Sequence, residues 1–185
     1  MGLMAWVIVG LVVIAVVGVI GIYNKLVGLR QNVRQGRADI DAQLRQRHDL
    51  VPNLVETVKG YAAHEADTLE AVISARNAAA NGNPDSGSEQ GLRVALDKLL
   101  ALGEAYPDLK ASANFQELQS ELGDVEDKLA AARRALNAAV SRFNTARESF
   151  PAVLFAAALG FAEADFNQLD DSERGTVDQV PHITF

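Results

Sequence analysis

The chain has 185 residues, a net charge of −7 and no cysteine. The lack of cysteine excludes disulfides, thiolate metal sites and cysteine nucleophiles. Frequent alanine and leucine with few aromatic residues are typical of helical proteins, so we expect an all-α fold.

The chain begins with an uninterrupted apolar run, residues 2–22, and its first charged side chain is Lys25. As a helix this run covers about 30 Å, the thickness of a bilayer's hydrocarbon core. A signal peptide needs a basic residue ahead of the run and a small-residue cleavage site, and neither is found here. We therefore predict an uncleaved transmembrane anchor over residues 1–24. Small residues within it allow close helix–helix approach, and lipid-facing packing is the alternative. These candidate oligomer contacts are Gly10, Gly18 and Gly21.

Basic side chains gather just after the predicted anchor. Residues 25–60 carry seven basic and four acidic groups, whereas residues 160–185 carry one basic and six acidic groups. Basic residues beside a membrane span attract anionic headgroups and stay on the cytoplasmic side. We therefore expect an inner (cytoplasmic) membrane location, with the N-terminus outside and the C-terminal domain in the cytoplasm. The acidic chain argues against nucleic-acid binding. The predicted headgroup contacts are Lys25, Arg30, Arg34 and Arg37.

Helical spacing of apolar residues continues beyond the anchor, so we expect it to run directly into a soluble helix. Asp49 and Pro52 predict a kink or short break there. The pattern then predicts a helix over about 50–80, a turn-rich loop over 81–88, and a short helix over 88–104 ended by Gly103 and Pro107.

The strongest periodicity comes after this short helix, where apolar residues alternate three and four positions apart over four heptads. It predicts a long helix that packs against the helix over 50–80, and a bundle core is favoured over an intermolecular coiled coil. We thus expect an anchor that runs into an antiparallel bundle of long helices over 25–149, with a partly irregular tail. The heptad residues are Phe115, Leu118, Leu122, Val125, Leu129, Ala132, Leu136, Ala139 and Phe143.

Residues 150–161 form an apolar segment that is too short to cross a bilayer. It is either buried in the bundle, placed in the membrane interface, or in contact with another subunit. With the acidic tail it makes residues 150–185 a candidate subunit or partner contact. The candidate contact residues are Pro151, Leu154, Phe155, Leu159, Phe161 and Phe185.

The sequence offers little catalytic chemistry. His64-Glu65 lacks the second histidine of a zinc-binding HExxH motif, because Thr68 stands in its place. No phosphate-binding loop or nucleophile elbow occurs, so we predict no enzyme activity, no catalytic residue, no metal site and no cofactor. The densest polar cluster surrounds Arg47 and Asp49. It is interpreted as local hydrogen bonds that fix the kink, in preference to an anion or headgroup site.

Residues 23–76 carry a family resemblance, in the segments YNKLV (23–27), IDAQLRQR (40–47) and DLVPNLV (49–55). With later positions such as Asn144 and Gly160-Phe161, the chain resembles the LemA family of bacterial membrane proteins over almost its whole length. The resemblance implies an N-terminal anchor, a helical bundle facing the cytoplasm, and no established catalytic activity. Some relatives are similar to proteins linked with magnetosome membrane formation, and others look like companions of membrane-protein quality-control proteases. One departure is Gly36-Arg37-Ala38, where many relatives carry a tryptophan.

Together these features predict a non-catalytic, single-pass membrane protein that self-assembles into a scaffold organising or shaping the membrane. Its expected partners are lipids, copies of itself and possible other membrane proteins. The alternative is an adaptor or regulator of another membrane protein complex, such as a quality-control protease.

Overall fold

A computed structural model describes residues 2–82 and 87–167 of the chain. The elements are α1 (Leu3–Lys59), α2 (Ala66–Asn81), α3 (Gly87–Ala105), α4 (Pro107–Lys110), α5 (Ala113–Glu148) and a 3₁₀ turn at Ala152–Leu154. The predicted all-α fold is confirmed. The chain divides into two compact units. One is Arg34–Ala135, called here the inner unit, and the other, the anchor unit, joins α1 as far as Val33 with the chain from Leu136 onward.

The first helix is continuous over 57 residues, so the apolar run leads without a break into a part of the helix that carries charged side chains. Of the kink or short break predicted near Pro52, the break is wrong, because Pro52 lies inside α1. Proline removes one backbone hydrogen bond, but tertiary packing supplies most of the stability of a helix in a protein. Here Val51, Leu54 and Val55 are buried around the proline, and their packing keeps the helix intact.

The helix predicted over 50–80 is in fact two helices, separated by a turn at residues 60–65. Gly60 follows the last helical residue, and the Tyr61 and Ala62 amides both donate to the Val58 carbonyl, at 3.0 and 2.8 Å. The chain then reverses, since Arg76 Nε of α2 donates to the His48 carbonyl of α1 at 3.3 Å. Tyr61 in this turn and Ile73 of α2 are exposed.

Glycine in the third helix serves packing rather than helix termination. The predicted helix over 88–104 is confirmed as α3, but Gly103 lies inside it and is buried. A Cβ atom at Gly103 would stand 3.0 Å from Phe115 Cε1, so only glycine lets this aromatic ring approach so closely. The core of the inner unit forms around this contact and includes Leu54, Val58, Leu69, Val72, Leu92, Leu96, Leu99 and Leu109.

The heptad pattern forms α5, as predicted, and most of its apolar positions are covered by the chain itself. Leu118, Ala132 and Ala139 are half-buried. The buried members are Phe115, Leu122, Val125, Leu129, Leu136 and Phe143.

Two asparagines of α5 hold the chain that follows it in the anchor unit. Asn144 Nδ2 donates to the Ala164 carbonyl at 2.9 Å, and the Ala164 amide donates back to Asn144 Oδ1 at 3.0 Å. Asn137 exchanges the same pair of bonds with the backbone of Asn167, at 3.0 and 2.9 Å. Each side-chain amide therefore donates one hydrogen bond to the backbone and accepts another from it. These bonds hold residues 164–167 along α5.

Candidate functional site

Over residues 6–21, the apolar run at the start of α1 exposes its side chains all round the helix. α1 is the one described helix that is long and apolar enough to cross a membrane, and none of its most apolar stretch is buried in the chain. A Cβ atom at Gly10, Gly18 or Gly21 would meet nothing within 4 Å. These predicted contact positions therefore stand open to lipid or to a partner helix.

The four predicted headgroup residues follow the apolar run on α1. Lys25, Arg34 and Arg37 are exposed, so their charges are free to face headgroups. Arg30 is half-buried, and its guanidinium carbon lies 4.9 Å from the centroid of the Phe161 ring. That distance is a cation–π contact, so Arg30 also helps to pack the anchor unit.

Phe161 lies in the interior of the anchor unit, with 1% of its surface exposed. Its ring packs edge-on against Tyr23, with 5.5 Å between the centroids, and lies 6.4 Å from the ring of Phe143. Its carbonyl accepts a hydrogen bond of 3.0 Å from Arg147 Nε. Phe161, which the sequence suggested as a subunit contact, is thus an internal contact that joins the end of the apolar run to the end of α5.

The chain between α5 and Phe161, residues 149–160, is a compact loop that we call the apolar turn. It closes with a Schellman motif, in which the Phe161 amide donates to the Ala156 carbonyl and the Gly160 amide to the Ala157 carbonyl. Gly160 has a φ of 78°, which glycine adopts without strain. Gly160 therefore aims Phe161 into the interior.

Replacing Gly160 with alanine is expected to lower the free energy of unfolding by about 1–2 kcal/mol, because a Cβ atom is strained at this φ. Urea unfolding of the full-length protein in a mild detergent, followed by circular dichroism, measures the change. Gly123→Ala is the matched control, since Gly123 lies inside α5 with open space around it. We expect the control to stabilise the protein by about 0.5–1 kcal/mol. Equal gains from both substitutions would contradict the strain at Gly160.

Most of the other predicted contact residues lie on the surface of the apolar turn. Pro151 is exposed, Leu154 is 72% exposed and Leu159 is 40% exposed, whereas Phe155 is half-buried. Phe185 lies outside the described residues. Two further apolar side chains of the turn are exposed, Phe150 at 81% and Val153 at 52%. The turn thus presents a surface that neither the helices nor Phe161 cover.

The inner unit contains a buried ionic cluster that the sequence did not reveal. Arg47 forms ion pairs with Glu89 and, at 2.7 Å, with Glu126. Glu89 Oε1 also lies 3.0 Å from His48 Nε2. The side chains of Arg47 and Glu89 are 3% and 8% exposed, so each compensates the buried charge of the other. Arg47 was expected to make local bonds at a kink, and it instead joins three helices.

Glu89, the buried partner of Arg47, could have been recognised in the sequence. Glu89 precedes Leu92, Leu96 and Leu99 at spacings of three, four and three residues, which puts a carboxylate on the apolar face of α3. A charge at such a position requires a buried partner of opposite sign. By contrast Arg45 and Asp49, the other members of the predicted polar cluster, are exposed.

A shallow depression of about 180 Å³ adjoins this cluster. Its polar lining comes from Asp41, Arg45, His48 and Glu89, with the backbone of Gly82 at its edge. In the ranges 2–82 and 87–167, no three His, Asp or Glu side chains are grouped so as to hold a metal ion. The buried acid and base groups next to the depression are engaged with one another, an arrangement that favours a structural role.

At the other end of α2, a hydrogen bond shifts the pKa of one tyrosine. Tyr106 Oη donates to Glu65 Oε1 at 2.9 Å. This bond to a carboxylate, followed by desolvation and repulsion from the same charge, raises the pKa of Tyr106 above its ordinary value of 10.0. The phenol therefore stays neutral and links the start of α2 to the end of α3.

The model of the LemA family matches residues 36–185, which is most of the chain. The chain belongs to the LemA family. It is similar to protein LemA of Metamycoplasma hominis, with 26% identity over 86% of the chain and 74% of the relative. An apolar N-terminal helix, a helical fold and this family membership together describe a membrane-associated helical protein.

Two magnetosome proteins are also similar to this LemA-family chain. Magnetosome protein MamQ of Magnetospirillum gryphiswaldense is 22% identical over 78% of the chain. Magnetosome protein MamQ 2 of Paramagnetospirillum magneticum is 24% identical over 79% of the chain. The chain spans 64% of the length of each of these two relatives.

Proposed function

We propose that this protein is a non-catalytic, single-pass membrane protein that self-assembles into a scaffold organising or shaping the membrane. The observation that carries the proposal is α1, a single helix of 57 residues that begins as an apolar span and ends in the core of the inner unit. The helix runs from the apolar span into that core without a flexible linker. Copies that associate would therefore impose their geometry on the surrounding lipid.

The anchor offers a surface for that association. On a helix that advances about 100° per residue, Gly10, Gly18 and Gly21 fall within an arc of about 80°. Small residues on one face of a transmembrane helix let a second helix approach closely. The similarity to two magnetosome proteins supports a role at a membrane.

The orientation in the proposal follows from the basic residues after the span. Lys25, Arg34 and Arg37 are exposed and lie within 15 residues of the end of the apolar run, where positive charge favours the cytoplasmic side. The proposal therefore places the helical domain in the cytoplasm, beneath the inner membrane. The absence of catalysis in the proposal is supported by the buried ionic cluster, whose acid and base groups bond one another.

The mass of the full-length protein in native nanodiscs or a mild detergent tests self-assembly. We expect a discrete particle much heavier than the 19.8 kDa chain. Leucine at all three glycines should shift it toward the monomer, because the larger side chains hold the helices apart. Leucine at Val12, Val16 and Val19, on the opposite face of the helix, is the matched control and should leave the mass unchanged.

A monomeric wild-type protein would overturn the scaffold and favour the adaptor of another membrane complex. A large particle that persists in the glycine variant would retain the scaffold but move its contacts away from the anchor.

A further inference from the structure

We propose that the apolar turn inserts Phe150, Val153 and Leu154 into the headgroup region of the membrane, beside the anchor. The protein would then hold the bilayer at two places, through its transmembrane span and through this turn. The placement rests on the membrane anchoring in the proposed function and is independent of self-assembly.

The apolar turn lies beside α1 at the end of the apolar run. Phe161 follows the turn directly, and its ring packs on Tyr23, the residue that immediately follows the apolar run 2–22. Tyrosine is enriched where a span meets the headgroups, so Tyr23 marks the boundary between hydrocarbon and water. The C-terminal end of the apolar turn is therefore fixed at that boundary.

The N-terminal end of the turn is hydrogen-bonded to Phe161 as well. Arg147, two residues before the turn begins, donates from Nε to the Phe161 carbonyl at 3.0 Å. Within the turn, the Ala156 amide donates to the Ala152 carbonyl at 2.8 Å and the Leu159 amide to the Phe155 carbonyl at 3.0 Å. These bonds keep the loop compact, so its exposed side chains stay within a short distance of Tyr23.

The exposed surface of the turn is apolar and uncharged. Residues 149–162 contain no charged side chain, and Phe150 and Leu154 are 81% and 72% exposed. Such side chains are unfavourable in water and favourable about 5–10 Å into the boundary between headgroups and acyl chains. A lipid surface is the apolar phase that already lies at the level of Tyr23.

Arginine side chains next to the turn reduce the repulsion between its flanking carboxylates and anionic lipid. Glu148 and Glu163 flank the uncharged residues, and Arg147 Nη1 lies 3.3 Å from the first carboxylate and 3.9 Å from the second. Arg30 of the same unit lies over Phe161. Cationic groups thus accompany both carboxylates at the edge of the turn.

Tryptophan fluorescence in lipid vesicles tests the proposal. The chain has one tryptophan, Trp6, so Trp6→Phe supplies a silent background for Phe150→Trp. The matched control is Tyr61→Trp, which replaces another exposed aromatic residue, 38 positions beyond Tyr23 in the chain. Each full-length variant is reconstituted in vesicles of mixed neutral and anionic phospholipid, with and without bromine on the acyl chains.

We expect blue-shifted emission from Phe150→Trp and a loss of that emission in brominated vesicles, greatest when the bromine lies near the headgroups. Tyr61→Trp should keep red-shifted emission without quenching. Red-shifted, unquenched emission from Phe150→Trp would overturn the proposal in favour of exposure to water. Blue-shifted emission without quenching would also overturn it, and would place the turn against another protein subunit.

Trp6 in the unaltered protein tests the membrane anchoring, on which this proposal rests, independently of the insertion of the turn. Quenching of Trp6 by bromine confirms that the span is inserted, so a negative result at Phe150 then counts against the apolar turn alone. If Trp6 is unquenched, both the membrane anchoring and the insertion of the turn are overturned. Neither result depends on the particle mass that tests self-assembly.

Discussion

Replacing Phe161 with alanine is expected to lower the free energy of unfolding by about 3–5 kcal/mol. The side chain is 1% exposed, and its ring contacts Tyr23, Phe143 and the guanidinium of Arg30. Its loss leaves a cavity between helices that are joined through this ring, and it also removes an aromatic pair and a cation–π contact.

Urea unfolding of the full-length protein in a mild detergent measures this change, and hydrogen exchange shows where it acts. Exchange should increase in residues 136–148 and 156–167 while the inner unit keeps its protection. Phe166→Ala is the control, because half of that side chain is already exposed and its truncation should cost far less. Similar losses from the two alanine variants would contradict the central position of Phe161.

The long helices were predictable because their apolar residues repeat over many turns. Leu122, Leu129 and Leu136 recur at heptad spacing, and a pattern of this length leaves few alternatives to a helix with one buried face. The apolar start of α1 was predictable for a simpler reason, since charge is absent from residues 2–22.

The turn between α1 and α2 was not predictable, since the apolar spacing of a helix continues across it. Val58, Ala62, Leu69 and Val72 fit one helical face, and all four are buried, but they lie on two antiparallel helices. Gly60 was the only local signal, and a single glycine is tolerated within a helix. Conversely Pro52 suggested a kink or a short break, and packing keeps the helix continuous there.

The candidate sites also combine features that the sequence predicts with features that it does not. The basic residues after the apolar run and the apolar segment at 150–161 can be recognised from composition. The packing of Phe161 on Tyr23 joins residues 138 positions apart, and no local pattern encodes such a pair. That contact decides which apolar residues of the segment are internal and which remain exposed.

The second large loss of stability is expected from a substitution in the buried ionic cluster. Replacing Arg47 with methionine is expected to lower the free energy of unfolding by about 3–5 kcal/mol, because it leaves the Glu89 carboxylate buried without its main counter-charge. Glu126 contributes little to this loss, since its side chain is 45% exposed and water can solvate it. Urea unfolding of the full-length protein measures the change. Arg45→Met is the matched control, because Arg45 is an exposed arginine two positions earlier on the same helix, and its replacement should change stability by less than about 0.5 kcal/mol.

The double variant Arg47→Met with Glu89→Leu separates the worth of the pair from the penalty of an orphaned charge. Replacing both buried ions with apolar side chains of similar size removes the two desolvation costs together, so we expect most of the lost stability to return. A double variant no more stable than Arg47→Met alone would show that the two groups are not coupled. Full recovery would instead mean that the pair adds no net stability, and that its role is to align α1, α3 and α5 in a single register, since a buried charge accepts only the arrangement that brings it its partner.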